Sequence, residues 1–203
     1  MEAERKTPPN PTDLHEADLL GKARGGNLFA FEEIVRRYQR RVYGVALRIV
    51  RRHEVADDVT QETFVRAYRS LSRFDLGRPF GPWVCRIAAN LALNHVRSPQ
   101  AREDPLPEGH AETPASDPDP LAQVLEDEAG RVLEAALARL PAEQRAVFVL
   151  RATEELSYRE IAEALDISIG TVMSRLHRAR ARLRDVLVPY LGSAATRTGG
   201  RNS

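Results

Sequence analysis

Cysteine is nearly absent from this chain, which has a single one, Cys85, among its 203 residues. A lone cysteine excludes an internal disulfide and a cysteine-based zinc cluster, and a buried structural thiol is the role we expect for it. The five histidines are scattered along the sequence. The sequence therefore predicts no metal site and no cofactor.

Long apolar runs are also missing. None approaches the roughly 20 residues that a helix needs to span a bilayer, and residues 1–6 mix acidic and basic side chains, so neither a membrane span nor a signal peptide is predicted. The sequence contains no GxxxxGK(S/T) phosphate loop, and no Ser/His/Asp arrangement can be argued from it. A composition of 42% hydrophobic and 29% charged residues fits one or two small domains. We expect a cytoplasmic protein that is not an enzyme and does not bind membranes.

Residues 156–184, LSYREIAEALDISIGTVMSRLHRARARLR, contain the most informative pattern. Apolar residues recur at helical spacing as far as Leu165, the segment Asp166–Gly170 interrupts the pattern, and Thr171 restarts it. Ser168 can cap the second helix. The segment predicts two short helices around a tight turn, as in helix pairs that read DNA.

The second of these helices has two stripes, which follow from an advance of about 100° per residue. The apolar stripe contains Val172, Leu176, Ala179, Leu183 and Val186, and the polar stripe contains Thr171, Arg175, Arg178 and Arg182. Five arginines lie between Thr171 and Arg184, and none has an acidic residue four positions away, so ion pairs within the helix do not explain them. A solvated basic face is the ordinary alternative. Together with the helix pair, the arginines favour DNA binding.

The net charge of +1 conceals a segregation of charge along the chain. Residues 103–130 contain no Lys or Arg but nine Asp or Glu, and six prolines lie between Pro99 and Pro120. Such a composition disfavours helices and strands and keeps the backbone extended. We predict a flexible acidic linker at residues 99–120, for which a passive tether is a common role.

The rest of the chain has helical periodicity and no convincing alternating strand pattern. The predicted helices are 13–23, 28–50, 54–71 and 82–97 before the linker, and 121–140 and 142–152 after it. The fold class is therefore all-α, with two small helical domains and a helix-turn-helix in the C-terminal one. The predicted boundaries are a disordered N-terminus at 1–12, a helical domain at 13–98, the linker at 99–120, a second helical domain at 121–191 and a disordered tail at 192–203.

The predicted helix 82–97 has an unusual polar face, formed by Trp83, Arg86, Asn90, Asn94 and Arg97. Asparagine is a poor helix former. Unstacked bases suit such a surface, since rings stack on bases, amides bond their edges and arginines hold phosphates. The alternatives are that Trp83 lies in the core and that the asparagines bond locally.

The preceding predicted helix begins with acidic side chains, among them Asp57, Asp58 and Glu62. Acids at a helix N-terminus ordinarily compensate the helix dipole. Because Asp58 and Glu62, like Asp57 and Gln61, lie one turn apart, this polar side can also receive a protein partner.

These segments resemble, in order, three motifs of bacterial RNA polymerase sigma factors of the small extracytoplasmic-function (ECF) type, within the sigma-70 family. Residues 56–64, ADDVTQETF, resemble the family's core-polymerase-binding helix. Residues 82–94, PWVCRIAANLALN, resemble its minus-ten-element helix, and residues 170–180, GTVMSRLHRAR, its minus-thirty-five reader. The resemblance implies a sigma factor that gives core RNA polymerase its promoter recognition and assists promoter opening.

The resemblance also implies roles for individual residues. Those expected at the clamp helices of the polymerase's largest subunit are Asp57, Asp58, Gln61, Glu62 and Phe64. Those expected at the melted minus-ten element are Phe74 in the loop 72–79, Trp83, Arg86, Asn90, Asn94 and Arg97. Those expected in the major groove of the minus-thirty-five element are Thr171, Ser174, Arg175, Arg178 and Arg182, where arginine suits bidentate contact with guanine.

Two residues depart from the family pattern. Asp166 stands at a turn position where glycine is common, and Met173 stands where a basic residue is usual.

The expected partners are core RNA polymerase and promoter DNA, both double-stranded and melted, and an anti-sigma factor, since such proteins often hold members of this family inactive.

Two other classes of function stay open at this point. One is a stand-alone helix-turn-helix transcriptional regulator, with the N-terminal half sensing a ligand or forming a dimer. The other is an interaction protein in which the arginine face serves only to solubilise the helix.

Overall fold

The computed structural model describes residues 11–98 and 130–198, and all regular structure in those two ranges is helical. The helices are α1 (Pro11–Arg24), α2 (Leu28–Val50), α3 (His53–Ser70), a 3-10 turn (Leu71–Arg73), α4 (Phe80–Arg97), α5 (130–138), α6 (Ala142–Ala152), α7 (Tyr158–Leu165) and α8 (Ile169–Thr198). We refer to α1–α4 as the N-terminal bundle and to α5–α8 as the C-terminal bundle. The all-α prediction is confirmed.

Helix α2 organises the N-terminal bundle by packing against α1, α3 and α4. It begins where the side chain of Asn27 accepts a hydrogen bond from the Ala30 N–H at 3.0 Å, which satisfies one free amide of the first turn. It ends where Arg51 adopts a left-handed conformation, φ 62°. Its buried positions, which include Ile34 and Val42, recur at helical spacing and form the face toward the core.

Gly81 permits close contact between α4 and α2. A Cβ at this position would lie 2.6 Å from a guanidinium nitrogen of Arg41 and 2.9 Å from the ring of Tyr38. A larger residue at position 81 would therefore displace side chains of α2. The same contact places the Arg41 guanidinium beside the first turn of α4.

The C-terminal bundle packs α6, α7 and α8 around a small apolar core that includes Val147, Leu150, Ile161, Val172 and Leu176. Helices α5 and α8 meet through a second cluster, in which Leu137, Leu140 and Leu183 are buried. This bundle holds the helix-turn-helix in its α7–α8 segment.

The two bundles lie against each other. Helix α6 packs on α2 and α4, helix α7 packs on α4, and the buried apolar residues of both bundles form one continuous cluster. Arg145 of α6 is 5% exposed and donates to the carbonyl of Ile49 at 2.6 Å, at the end of α2, and to that of Leu140 at 3.1 Å. Burial, together with the nearby charge of Arg51, lowers the pKa of Arg145 to about 10.

The predicted helices agree with the observed ones to within about two residues in the N-terminal bundle, and 28–50 and 142–152 are confirmed as they stand. The described part of the predicted helix 121–140 is helical from 130 to 138. Helix α8 continues to Thr198, past residue 192, at which the sequence predicted the start of a disordered tail. The linker 99–120 and residues 1–10 lie outside the described residues, and the domain boundaries stay predictions.

Candidate nucleic-acid interface

One side of α4 presents the residues that the sequence predicted to capture bases, and we call Trp83, Arg86, Asn90, Asn94 and Arg97 the α4 polar face. The opposite side, with Val84, Ala88 and other small residues, is buried within the N-terminal bundle. Asn94 and Arg97 are exposed, and the other members are half-buried. These side chains lie on the surface of their own bundle.

Three members of the α4 polar face bond to the C-terminal bundle. Arg86 pairs with Glu160 at 2.6 Å, Arg97 pairs with Glu143 at 3.4 Å, and the side-chain amide of Asn90 donates to the carbonyl of Ala164. Sequence reasoning missed these partners. The contacts link α4 to the first turns of α6 and α7 and to the end of α7.

The aromatic residues near the start of α4 form a cluster. Ring centroids are 4.6 Å apart for Phe74 and Trp83, 5.7 Å for Phe74 and Phe80, and 5.3 Å for Phe80 and Trp83. Phe74 is 5% exposed, whereas Trp83 keeps part of its surface in solvent. In this arrangement Phe74 is a core residue that supports Trp83, and it is not open to a base.

The acidic side of α3 is open to solvent. Asp57, Asp58 and Gln61 are exposed, and Glu62 pairs with Arg66 one turn on, at 2.7 Å. Phe64 is 7% exposed and packs inward. Of the residues expected at the polymerase, Phe64 therefore supports the surface from beneath, while the polar ones form it.

Sequence reasoning missed an exposed apolar group where the start of α2 meets the end of α3. Leu28 and Phe29, at the start of α2, and Val65 and Tyr68, near the end of α3, are exposed, Phe29 to 85%. The ring of Tyr68 lies 4.9 Å from that of Phe31, which joins the two helix ends. The signal that could have found them is that Phe29 and Val65 fall on the side of their helices opposite to the apolar stripe.

The helix-turn-helix is held by local capping. Ser157 and Glu160 form a reciprocal capping box at the start of α7, and Asp166 ends that helix in a left-handed conformation, φ 51°. The Thr171 N–H donates to the Ser168 hydroxyl at 3.1 Å, which confirms the predicted cap of α8. These bonds satisfy free amides at the starts of α7 and α8.

The polar stripe of α8 faces outward. Ser174, Arg178 and Arg182 are exposed, and Thr171 is half-buried. The Arg178 guanidinium donates to the carbonyl and to the hydroxyl of Ser174, each at 3.2 Å, so it lies along its own helix. The apolar stripe, with Val172 and Leu176, is buried as predicted.

Arg175 differs from the other members of this stripe. It is half-buried, and one of its terminal nitrogens is buried without a hydrogen-bond partner. Glu143 lies close to it. Hydrogen bonding from the Glu143 backbone N–H lowers the pKa of this carboxyl, and the guanidinium groups of Arg97 and Arg175 lower it further. Glu143 thus lies between an arginine of the α4 polar face and one of the α8 stripe.

Glu160 connects the capping box to the α4 polar face. Burial alone would raise the pKa of its carboxyl, but hydrogen bonds from Ser157 and the charge of Arg86 outweigh burial and lower it. The Glu160 carboxyl is therefore an anion at neutral pH, and it forms an ion pair with Arg86.

Within residues 11–98 and 130–198, no helix has the length and hydropathy to cross a membrane. In the same ranges, no three His, Cys, Asp or Glu side chains are grouped closely enough to hold a metal ion.

Two known protein families match this chain in sequence. Residues 34–103 match the family described as Sigma-70 region 2, and residues 130–183 match the family described as Sigma-70, region 4. The chain is 35% identical to the ECF RNA polymerase sigma-E factor of Haemophilus influenzae, over 88% of this chain and 98% of that one. It is 41% identical to the ECF RNA polymerase sigma factor SigE of Mycolicibacterium smegmatis, over 82% of this chain and 65% of that one.

A solved structure gives the same result. The sigma factor RpoE from Bartonella quintana, crystallised with the anti-sigma factor NepR, is 25% identical, with a TM-score of 0.58 over 77% of this chain and 96% of that one. The matched families, the relatives and the fold all agree with the resemblance that the three sequence motifs indicated. The chain therefore belongs to the ECF group of the sigma-70 family, the sigma factors that give bacterial core RNA polymerase its promoter recognition and assist promoter opening.

Proposed function

We propose that this sigma factor divides initiation among three surfaces, which are the acidic side of α3, the α4 polar face and the polar stripe of α8. The observation that supports the division best is that each surface lies on a different helix, with an adjoining apolar side buried in the core. Each surface can therefore bind its partner without unfolding its bundle.

The acidic side of α3 would bind the clamp helices of the polymerase's largest subunit. Asp57, Asp58 and Gln61 are exposed there, and Glu62 is held by an exposed ion pair that costs little to break. The exposed Phe29 and Tyr68 would add an apolar part to this interface. Aromatic residues are common among those that contribute most binding energy at protein interfaces.

The α4 polar face would capture the minus-ten element once its bases unpair. Asn90 and Asn94 offer amides to base edges, Trp83 offers a ring to the upstream fork, and Arg86 and Arg97 offer charge to phosphates. Binding exposed bases shifts the equilibrium toward the open duplex. Opening is then driven by binding energy, and this chain supplies no catalytic residue and hydrolyses no nucleotide.

The polar stripe of α8 would enter the major groove of the minus-thirty-five element. Ser174 and Arg178 lie in its exposed first turns, where recognition helices contact bases. Cofactors are not needed in any of the three steps. We place the protein in the cytoplasm, with core RNA polymerase, promoter DNA and an anti-sigma factor as partners.

Transcription with purified core polymerase on genomic DNA tests the function. Initiation at a defined set of start sites is expected only when this chain is added. A stand-alone repressor or activator, or an interaction protein, would give no such sites.

The division of labour is tested by two variants of the full chain. Asn90→Ala should weaken open-complex formation about tenfold, because a good base contact is worth about 1–3 kcal/mol, and should leave the affinity for core unchanged. Asp58→Lys combined with Glu62→Lys should do the reverse, losing affinity for core by charge repulsion. If both variants lost the same step, the assignment of separate surfaces would be wrong.

A further inference from the structure

Helix α1 lies outside the residues that match Sigma-70 region 2, which begin at 34. Its inner side packs against α2 and the 3-10 turn, with Leu20 buried. Glu16 and Arg24 each lie four residues from Leu20, and so the three side chains share one side of the helix. Both charged residues bond to the segment between α3 and α4. We call residues 71–79 the α3–α4 loop.

Arg24 holds the first part of the α3–α4 loop. Its Nε donates to the carbonyl of Leu71 at 3.2 Å, and a terminal nitrogen donates to the carbonyl of Phe74. One side chain therefore bonds on both sides of the 3-10 turn. Because a guanidinium is planar and carries its donors in a fixed geometry, the two bonds restrict where the backbone can become extended at Phe74.

Glu16 holds the point at which the loop passes into α4. The helix begins at Phe80, after Pro79, which makes no side-chain capping bond. The Glu16 carboxylate accepts from the Phe80 N–H at 3.3 Å, and so it satisfies a free amide of the first turn. Its other oxygen accepts from the hydroxyl of Tyr38. A negative charge beside a helix N-terminus is also favoured by the helix dipole.

The two backbone positions that α1 holds carry the rings against which Trp83 packs. Phe74 and Phe80 are both buried, and their ring centroids lie 4.6 Å and 5.3 Å from that of Trp83. Because packed interiors transmit small displacements, a shift at the Phe74 carbonyl or the Phe80 amide moves the surface beneath the Trp83 ring.

We propose that Glu16 and Arg24 are positioning residues for capture of the minus-ten element: α1 holds both ends of the α3–α4 loop, and the loop holds Trp83 in the orientation that the upstream fork requires. The proposal rests on the function proposed for the α4 polar face. Neither α1 side chain touches DNA in this role. A ring that is already held in place loses less conformational freedom when it binds, and so release of the loop weakens capture although every DNA-binding side chain remains.

Two variants of the full chain, Glu16→Ala and Arg24→Ala, test the role of α1. Asp18→Ala and Lys22→Ala are the matched controls, because each removes the same sign of charge from the same helix. Asp18 and Lys22 are exposed and pair with each other at 2.7 Å. Alanine is the best helix former, so none of these changes disfavours α1 by propensity. Glu16→Gln is the conservative variant, since its amide oxygen can still accept from the Phe80 N–H.

Trp83 is the only tryptophan of the chain, so its fluorescence reports on this site in the free protein. Glu16→Ala and Arg24→Ala should shift its emission to longer wavelength and raise its quenching constant with acrylamide, because the ring loses its apolar support. Acrylamide is uncharged, and its access to the ring does not depend on the charge that each variant removes. Both controls should keep the wild-type spectrum, and Glu16→Gln should restore most of it.

Open-complex formation by the reconstituted holoenzyme measures the consequence for capture. Each of the two test variants should reduce it about three- to tenfold, since loss of one hydrogen bond shifts an equilibrium by roughly two- to twelvefold. Affinity for core should not change. In a double-mutant cycle, Trp83→Ala should abolish the effect of Arg24→Ala, because both changes act through the same ring. A general loss of stability would instead reduce open-complex formation by the same factor in either background.

Four results would overturn positioning by α1. These are a wild-type Trp83 spectrum in both test variants, a changed spectrum with wild-type open-complex formation, equal effects in the controls, and independent effects in the double-mutant cycle. Initiation by the wild-type holoenzyme separates this outcome from the proposed function. Normal start-site selection together with any of these results would reject only the role of α1, whereas absence of initiation would reject the function and this role with it.

Discussion

Asp166 places the strongest local demand on the backbone of the helix-turn-helix, because it ends α7 with φ 51° and ψ 53°. L-residues other than asparagine and aspartate avoid this conformation, and glycine adopts it freely. We expect Asp166→Gly to raise the free energy of unfolding by about 0.5–1 kcal/mol. Urea denaturation followed by circular dichroism measures the change. Glu163→Gly, inside α7, should instead lower stability by about 1 kcal/mol, and a loss at both positions would contradict the strain at Asp166.

The contacts of some single residues could be predicted from the sequence, and those of others could not. The cap by Ser168 was predictable because its partner, Thr171, lies three residues away and the bond needs only local geometry. The bond from Asn90 to Ala164 was not, because it joins residues 74 positions apart and depends on how two bundles dock. Phe74 was expected beside a base, but the T-shaped contact with Phe80 and the ring of Trp83 bury it.

At the scale of the element, one side of α8 packs against the core, and another side is the one proposed to recognise DNA. Arg178 lies on the polar stripe, and in the free protein it bonds only to Ser174 among the contacts described. We expect Arg178→Ala to weaken binding to a minus-thirty-five duplex by about 1–3 kcal/mol and to reduce the salt dependence by about one ion. Protein stability should change little, because the side chain is exposed.

Arg180→Ala provides the control for this prediction. Arg180 is also exposed, but it lies on another side of α8, where it lines a groove with Phe148 and Leu176. Its loss should lower affinity only through general electrostatics and should not relax sequence preference. Titrations of both variants with matched and mismatched duplexes at several salt concentrations measure affinity, salt dependence and sequence preference. Equal loss of specificity in both variants would refute the assigned orientation of α8.

Helix identity and extent were largely predictable, because apolar residues at a period of 3.6 decide which face of each helix is buried. Helix α2 shows this, since its buried residues, from Ile34 to Val50, keep that period. The acidic side of α3 followed from the same rule. The exposed Phe29 was missed, although the same rule places it on the side of α2 opposite to the apolar stripe.

At the scale of the whole molecule, the docking of the two bundles could not be read from the sequence. The sequence between them, rich in proline and acid, contains no pattern that predicts an orientation. The pairs Arg41–Glu154 and Arg86–Glu160 help to set the orientation. Nothing in the local sequence around any of these four residues indicates its partner. Docking therefore depends on complementary charge between two surfaces, of which the sequence analysis identified only the α4 polar face.

Cys85, buried beside Glu154 of the other bundle, makes the stability of the molecule depend on pH. The thiol is fully buried, and burial, with the adjacent Glu154 carboxylate of the other bundle, raises its pKa well above the ordinary value near 9. Because the folded-state pKa is raised, the stabilisation is complete below about pH 9 and is lost as pH rises toward the folded-state value. Wild type should lose up to about 1.4 kcal/mol per pH unit above pH 9 relative to Cys85→Ala, which has no thiol to ionise. Paired urea denaturation curves between neutral and alkaline pH measure this difference. Parallel losses in the two proteins would mean that Cys85 is not held in the apolar contact beside Glu154.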